Sequence, residues 1–240
     1  MSSPPFPLSG ARPSGGAQTT IQALLPASAC VEMSGDVCES RLFAVEASSV
    51  VNAVAERRRE FATVRHCARK ALARIGVPGA PIVPDADGAP RWPAGVVGSL
   101  THCEGYRAAA VAPSGGVRGL GIDAEPHDAI DAETLDLIAR PDERAQLRAL
   151  ADAQPATHWD RILFCAKEAV YKAWFPLTRR WLDFDDVWVR LRADGTFLAR
   201  VQVDEPRANG VDLSSFSGRW TVGGGLVLAA TVFSGPRVEP

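Results

Sequence analysis

The sequence predicts an α+β fold made of two comparable halves, each a small, mostly antiparallel sheet packed with one long helix. Three observations carry this. Strand-like runs are grouped after a helix instead of alternating singly with helices, which argues against a βαβ sheet. The order of one long helix followed by several strands occurs twice. The chain has 240 residues, which suits one domain or two small ones folded as a unit.

The elements follow in order. Residues 1–20 are rich in Pro, Ser and Gly and read as a flexible tail. From Ile21 to Val45 the apolar runs are short and mixed, giving strand or loop. Ser48 and Ser49 offer a cap for a helix through ERRREFATVRHCARKALARIG. Its apolar residues Phe61, Val64, Ala68, Leu72 and Ile75 form one stripe, and Gly76 and Pro78 end it. Pro81 to Pro93 is a loop, by its Pro, Gly and Asp content. VVGSL, YRAAAVA and GLGIDAE read as adjacent strands of a small sheet. DAETLDLIA and PDERAQLRAL read as helical pieces, the second with Pro141 in its first turn. A longer helix is expected from about Thr157 to Trp174. VWVRLRADGTFLARVQV predicts a hairpin turning at Asp194-Gly195, and RWTVGGGLVLAATVF a second one around Gly223 to Gly225. A boundary near Gly119 gives halves of 21–118 and 119–240.

Composition narrows the function. Hydrophobic residues make up 46% and charged residues 22%, ordinary globular values that exclude a disordered or fibrous chain. The net charge of -2 excludes a generally basic nucleic-acid coat, so any attraction for phosphate is local. The five cysteines, Cys30, Cys38, Cys67, Cys103 and Cys165, are scattered and odd in number. They suit neither a structural zinc site nor a disulfide framework, and a reducing, cytoplasmic setting is expected. No apolar run is long enough to span a bilayer, and the N-terminus lacks the pattern of a secretory signal.

Four clusters could carry chemistry. In GLGIDAE, Asp123 and Glu125 are two apart on a strand and share one side. Two such carboxylates repel unless a proton or cation intervenes, and Mg²⁺ accepts one or two carboxylates while keeping places for water and phosphate. The plain alternative is a surface acidic pair past a strand end. In FCAKEAVYKAW, Glu168 and Lys172 are four apart on one helical face, separate from a stripe of Ile162, Ala166, Ala169 and Ala173. The plain alternative is an exposed ion pair of about 0.3–0.5 kcal/mol. Between Arg57 and Arg74, seven basic residues oppose one acid, Glu60. Such a helix either holds phosphates through forked arginines or presents a solvated face. In GSLTHCEGYRAAAVA, His102 and Thr101 sit near glycines 98 and 105, which suggest a close backbone approach.

Taken together, THCEGYRAAAVA, GIDAEP and FCAKEAVYKAW resemble, in order and spacing, the signature of the 4′-phosphopantetheinyl transferases of the enterobactin/surfactin-synthetase type. RRREFATVRHCARKAL and GAPRWP resemble the actinobacterial branch of that family. The resemblance runs from the basic helix to about Trp174 and more loosely to the last hairpin. It implies two similar α/β halves related by a pseudo-twofold, with a coenzyme A cleft between them. It implies Mg²⁺-dependent (or Mn²⁺-dependent) transfer of phosphopantetheine from coenzyme A to a serine of acyl or peptidyl carrier proteins, releasing adenosine 3′,5′-bisphosphate. By the same resemblance Asp123, Glu125 and Glu168 are the metal carboxylates. Lys167 and Lys172 flank the third of them. Thr101 and His102 meet the nucleotide portion, and Arg57 and Arg65 hold phosphates. Asp123, Glu168 and Lys172 are then the catalytic set, with Glu168 the base. The family often has a Lys before its Gly-x-Pro-x-Trp-Pro stretch. This chain has Pro84, Asp85 and Asp87 there, leaving backbone groups or Arg91 to make that contact. A monomer without nucleic-acid or membrane partners is expected. Two other readings use the same residues: a metal-dependent nuclease or phosphodiesterase, and a non-catalytic nucleic-acid-binding module using the basic helix alone.

Overall fold

The computed structural model describes residues 20–37 and 40–234, so the tail before Thr20 and Cys38 lie outside the described residues. A short 3-10 turn, Ile21–Leu24, leads into strand β1, Cys30–Ser34, and helix α1, Ala44–Ser48. The mixed pattern of this stretch thus hides three small elements. Helix α2, Ala55–Arg74, follows, then β2, Val96–Cys103, β3, Tyr106–Pro113, and β4, Gly119–Pro126. Next come α3, Ala132–Ile138, α4, Pro141–Ala153, and α5, Trp159–Thr178. The chain ends with β5, Val187–Leu191, β6, Thr196–Val201, the two-residue β7 and β8 at Arg207–Ala208 and Val211–Asp212, then β9, Ser215–Gly223, and β10, Leu226–Phe233.

Two corrections to the expected elements have clear causes. Ser48 and Ser49 do not cap α2. Both hydroxyls donate back to the Val45 carbonyl and finish α1, while Val54 precedes α2 without a side-chain cap. The buried Glu46 fastens α1 instead: it accepts from the Phe43 and Ile82 amides and from the Arg69 guanidinium at 2.8–3.1 Å. The second correction concerns β4. It joins not β2 and β3 but the other sheet, pairing antiparallel with β10 from Gly119↔Phe233 to Pro126↔Leu226.

The resulting sheets are antiparallel, in the orders β1-β3-β2 and β4-β10-β9-β6-β5. Helix α2 packs on the first and α5 on the second, each twenty residues long. The α5 stripe of Ile162, Ala166, Ala169 and Ala173 is fully buried, as its spacing requires. Both hairpins form as the sequence indicates, with Gly195 and Gly224–Gly225 at positive φ in the turns.

The two sheets meet edge to edge along β2 and β4. No backbone ladder joins them. The Ser99 hydroxyl accepts from the Ile122 amide, and the Thr101 hydroxyl from the Ala124 amide, each at 3.1 Å. The equal offset means that the strands run in the same direction. Side-chain hydroxyls thus satisfy buried amides that would otherwise be orphaned at this joint. Behind it, Val31, Tyr106, Ala108, Leu120, Ile122 and Leu228 close one core across both halves.

Candidate active site

The site is assembled where α5 crosses β4. Gly121 makes this possible: a Cβ there would lie 1.8 Å from the Ala169 carbonyl oxygen. Helix and strand therefore approach backbone to side-chain-less backbone. That contact carries Glu168 and Lys172, on the next face of α5, over the end of β4.

Asp123 is the centre of this arrangement. It is 3% exposed at the joint between the sheets. One oxygen, Oδ1, accepts from the Lys172 ammonium at 2.7 Å and from the Thr101 hydroxyl at 3.1 Å. The other, Oδ2, is buried and has no hydrogen-bond partner among the described residues. A buried carboxylate oxygen left so is costly and needs a reason. Glu125, two residues on, is pushed up to about 7 by burial and by the charge of Asp123, against the pull of Arg161 and Lys172. Glu168 is also raised, by burial and by Asp123, with Lys172 opposing. Burial works against the charge of Lys172, yet Asp123 and Glu168 hold its ammonium above the usual lysine range.

The three carboxylates are thus electrostatically coupled, but none of the described His, Cys, Asp or Glu side chains already form a cage of three for a cation. Asp123 leans to Lys172, and Glu125 leans to the Arg161 guanidinium at 3.4 Å. Their chemistry still fits a hard divalent cation: an unpartnered buried carboxylate oxygen and two carboxyl groups whose ionisation is opposed by burial and by the charge of Asp123.

Beside this cluster opens a cavity of about 550 Å³ between the halves. Arg57, Phe61 and Arg65 of α2, Ser99 and His102 of β2, residues of the 84–90 loop, and Tyr171, Lys172 and Phe175 of α5 all contribute to its walls. Arg65 is 8% exposed, its guanidinium lying 3.3 Å over the Phe61 ring and donating from Nε to the Ile82 carbonyl. Burial lowers it to about 10, still charged at neutral pH. Arg57 reaches His102 Nε2 at 2.5 Å. Burial and this neighbouring cation lower the pKa of His102, so the ring is neutral and accepts the bond.

Structure and sequence disagree over several of the expected contacts. Lys167 is not in the cavity. It points to the other side of α5, where its ammonium donates to Glu143 Oε2 at 2.7 Å and to the Ile138 and Phe184 carbonyls. With exposures of 2% and 0%, this pair ties α4 and the 184 turn to α5. Glu168 is also absent from the walls of the large cavity: with Lys167, Tyr171, Trp181 and Phe184 it borders a smaller pocket on the neighbouring face of α5, and only Lys172 reaches both Asp123 and the large cavity. Thr101 does not line the cavity either. It is 2% exposed and orients Asp123 while satisfying Ala124. Gly98 lines the cavity, and its close approach is to Trp92, whose ring would lie 2.7 Å from an added Cβ. Arg69, Lys70 and Arg74 of the basic helix bind Glu46 and Glu32 and leave the cavity to Arg57 and Arg65. Arg91 is exposed and is not among the cavity's walls.

Two residues of the site carry little signal in the sequence. Arg161, seven before Glu168, contacts Glu125. The spacing of two helical turns was its only signal. Ser99 was unmarked because its role is to bridge strands of different sheets.

Residues 45–112 match the family model for the 4′-phosphopantetheinyl transferase N-terminal domain, and residues 119–229 that for the 4′-phosphopantetheinyl transferase superfamily. The chain is 48% identical over 224 residues to the 4′-phosphopantetheinyl transferase PptT of Mycobacterium tuberculosis, covering 89% of this chain and 98% of that one. It is 48% identical over 221 residues to the 4′-phosphopantetheinyl transferase Svp of Streptomyces mobaraensis, covering 90% of each. With the 4′-phosphopantetheinyl transferase Npt of Nocardia iowensis the identity is 45% over 194 residues, 77% of this chain and 86% of that one. These likenesses support neither the nuclease nor the nucleic-acid-binding alternative.

Proposed function

The chain belongs to the 4′-phosphopantetheinyl transferase superfamily, and we propose that it transfers phosphopantetheine with the residues that meet at the joint of its two sheets. The reaction moves the 4′-phosphopantetheine moiety of coenzyme A to a carrier-protein serine. The observation that supports the residue assignment best is Asp123: buried, half-satisfied, paired to Lys172, and adjoining a cavity walled by two arginines and a histidine.

In this reading the cavity receives coenzyme A. Arg57 and Arg65 bind phosphate oxygens, and His102, held neutral by burial and by Arg57, adjoins the nucleotide. Asp123, Glu125 and Glu168 would hold Mg²⁺, which when bound neutralises charge on the pyrophosphate and acts as a Lewis acid. Lys172 stabilises charge developing on the phosphoryl oxygens. Glu168, with its raised pKa, accepts the proton of the serine hydroxyl, directly or through water. A bond forms from the serine oxygen to the β-phosphorus. The bond from that phosphorus to the bridging oxygen breaks, and adenosine 3′,5′-bisphosphate leaves with the electron pair. Thr101 keeps Asp123 aimed at the site, and Lys167 holds α5 in place without touching substrate. The site is complete within one chain, which supports action as a monomer. No helix among the described residues is long and apolar enough to cross a membrane, and a cytoplasmic enzyme serving polyketide, nonribosomal peptide or fatty acid synthases is the setting that fits.

The test is the intact mass of apo acyl and peptidyl carrier proteins after incubation with coenzyme A and Mg²⁺. A phosphopantetheine adduct is expected. Its absence on several carriers of both kinds would overturn the reading.

A pH dependence follows from Glu125. A cation binds the ionised carboxylate, and this group resists ionisation up to about 7. Below that value a proton competes, so apparent Mg²⁺ affinity is expected to fall up to about tenfold per pH unit from pH 7 to 6. Titrating activity with Mg²⁺ at several pH values measures it. An affinity flat across this range would remove Glu125 from the metal set.

A further inference from the structure

The mouth of the coenzyme cavity has two sides. One is bordered by Ser99 of β2, whose hydroxyl holds the Ile122 amide of β4. The other lies between the 84–90 loop of the first half and the last turns of α5 in the second. Pro84, Asp87 and Pro90 wall it from the loop, and Tyr171, Phe175 and Pro176 from the helix. Across this gap the Arg179 guanidinium is ion-paired with the carboxylate of Asp85.

Both partners are specialised for the contact. Asp85 Oδ1 accepts from the amides of Asp87 and Ala89 at 3.0 and 2.9 Å, folding the loop tip. That leaves Oδ2 for Arg179, with the Asp85 side chain only 7% exposed. Arg179 ends α5 at φ +57, where glycine is the usual residue because a Cβ is disfavoured there. The guanidinium also lies 5.6 Å from the Phe175 ring centroid, over a wall of the cavity. A costly backbone position thus carries a long side chain that reaches the opposite half.

We propose that Asp85 and Arg179 are positioning residues that latch the 84–90 loop to the end of α5 and so set the width of the cavity for coenzyme A. This rests on the reading of that cavity as the coenzyme site. Neither residue is placed in contact with the reacting atoms. Binding energy for the coenzyme therefore depends on the latch, while the chemistry at Asp123 and Lys172 does not. The half-exposed arginine makes the latch sensitive to salt.

The experiment is steady-state kinetics of Asp85→Asn, Arg179→Gln, Arg179→Lys and the Asp85→Asn/Arg179→Gln double variant, with a fixed apo carrier and varied coenzyme A. Asp85→Asn keeps the Oδ1 acceptor for the loop tip and removes only the charge. The expected result is a three- to tenfold rise in the KM for coenzyme A for Asp85→Asn and Arg179→Gln, with kcat within twofold. The double variant should be no worse than either single one, and Arg179→Lys should return KM to within twofold of the parent. Raising salt should increase KM in the parent more than in the double variant. A fall in kcat at unchanged KM, or additive effects in the double variant, would overturn the latch. Arg57→Ala and Arg65→Ala serve as controls. If these leave KM unchanged, the coenzyme reading of the cavity fails. If they raise KM while the latch variants leave it unchanged, only the latch fails.

Discussion

Asp123→Asn is expected to lower kcat/KM for carrier modification by at least about 10³, equivalent to roughly 4 kcal/mol of transition-state stabilisation. The amide keeps the shape of the carboxylate and can still accept from Thr101, so β4 and its joint with β2 should persist. What disappears is the charge. Lys172 loses the partner that holds its ammonium above the ordinary range, and the metal site loses its most buried donor. Glu125 and Glu168 also lose the neighbour that raises both of them. In the variant these two should therefore ionise at lower pH, a change visible by carboxyl NMR. Activity within tenfold of the parent, in protein whose thermal unfolding is unchanged, would remove Asp123 from the centre of the reaction.

Gly121→Ala is expected to destabilise the fold by about 3 kcal/mol, since overpacking against a part that cannot rotate away lies at the upper end of its usual range. A Cβ at this position would meet the Ala169 carbonyl oxygen at 1.8 Å and the Ala173 nitrogen at 2.9 Å. Both belong to helix backbone, which yields only if α5 lifts from β4. For a chain of this length the midpoint of thermal unfolding should drop by about 10 °C. The surviving folded fraction should also turn over more slowly, because lifting α5 separates Lys172 from Asp123. Calorimetry with single-turnover assays checks both, and an unchanged midpoint would mean that the helix does not press on the strand as described.

The two variants probe one point, the crossing of β4 by α5, and it shows why part of this protein was readable from its sequence. The glycines of GLGIDAE and the alanines of FCAKEAVYKAW are the two faces of that contact. Each was visible as a pattern: an apolar run opening into two carboxylates, and a small-residue stripe beside Glu168 and Lys172. The long helices and both hairpins were likewise legible, because period and turn chemistry are local. The capping serines misled because Ser48 and Ser49 turn back to Val45, a choice made by the burial of Glu46 under Arg69 and Ile82. Lys167 misled because motif adjacency is not spatial adjacency. Lys167 turns to Glu143, while Lys172, five residues on, reaches Asp123 and the cavity.

What the sequence determined by itself was the α+β class, the family signature and the residue types of the site. These follow from local periodicity and from short motifs whose spacing is fixed by helix and strand geometry. Only the tertiary structure decided that β4 changes sheets, that hydroxyls from Ser99 and Thr101 sew it to β2, and that Asp123 is left with one oxygen unpartnered at the joint. It also decided that Asp85 meets Arg179 across the cavity. Each of these depends on which distant segments share an edge. That is settled by burying two helices and satisfying every amide at once, and no window along the chain contains it.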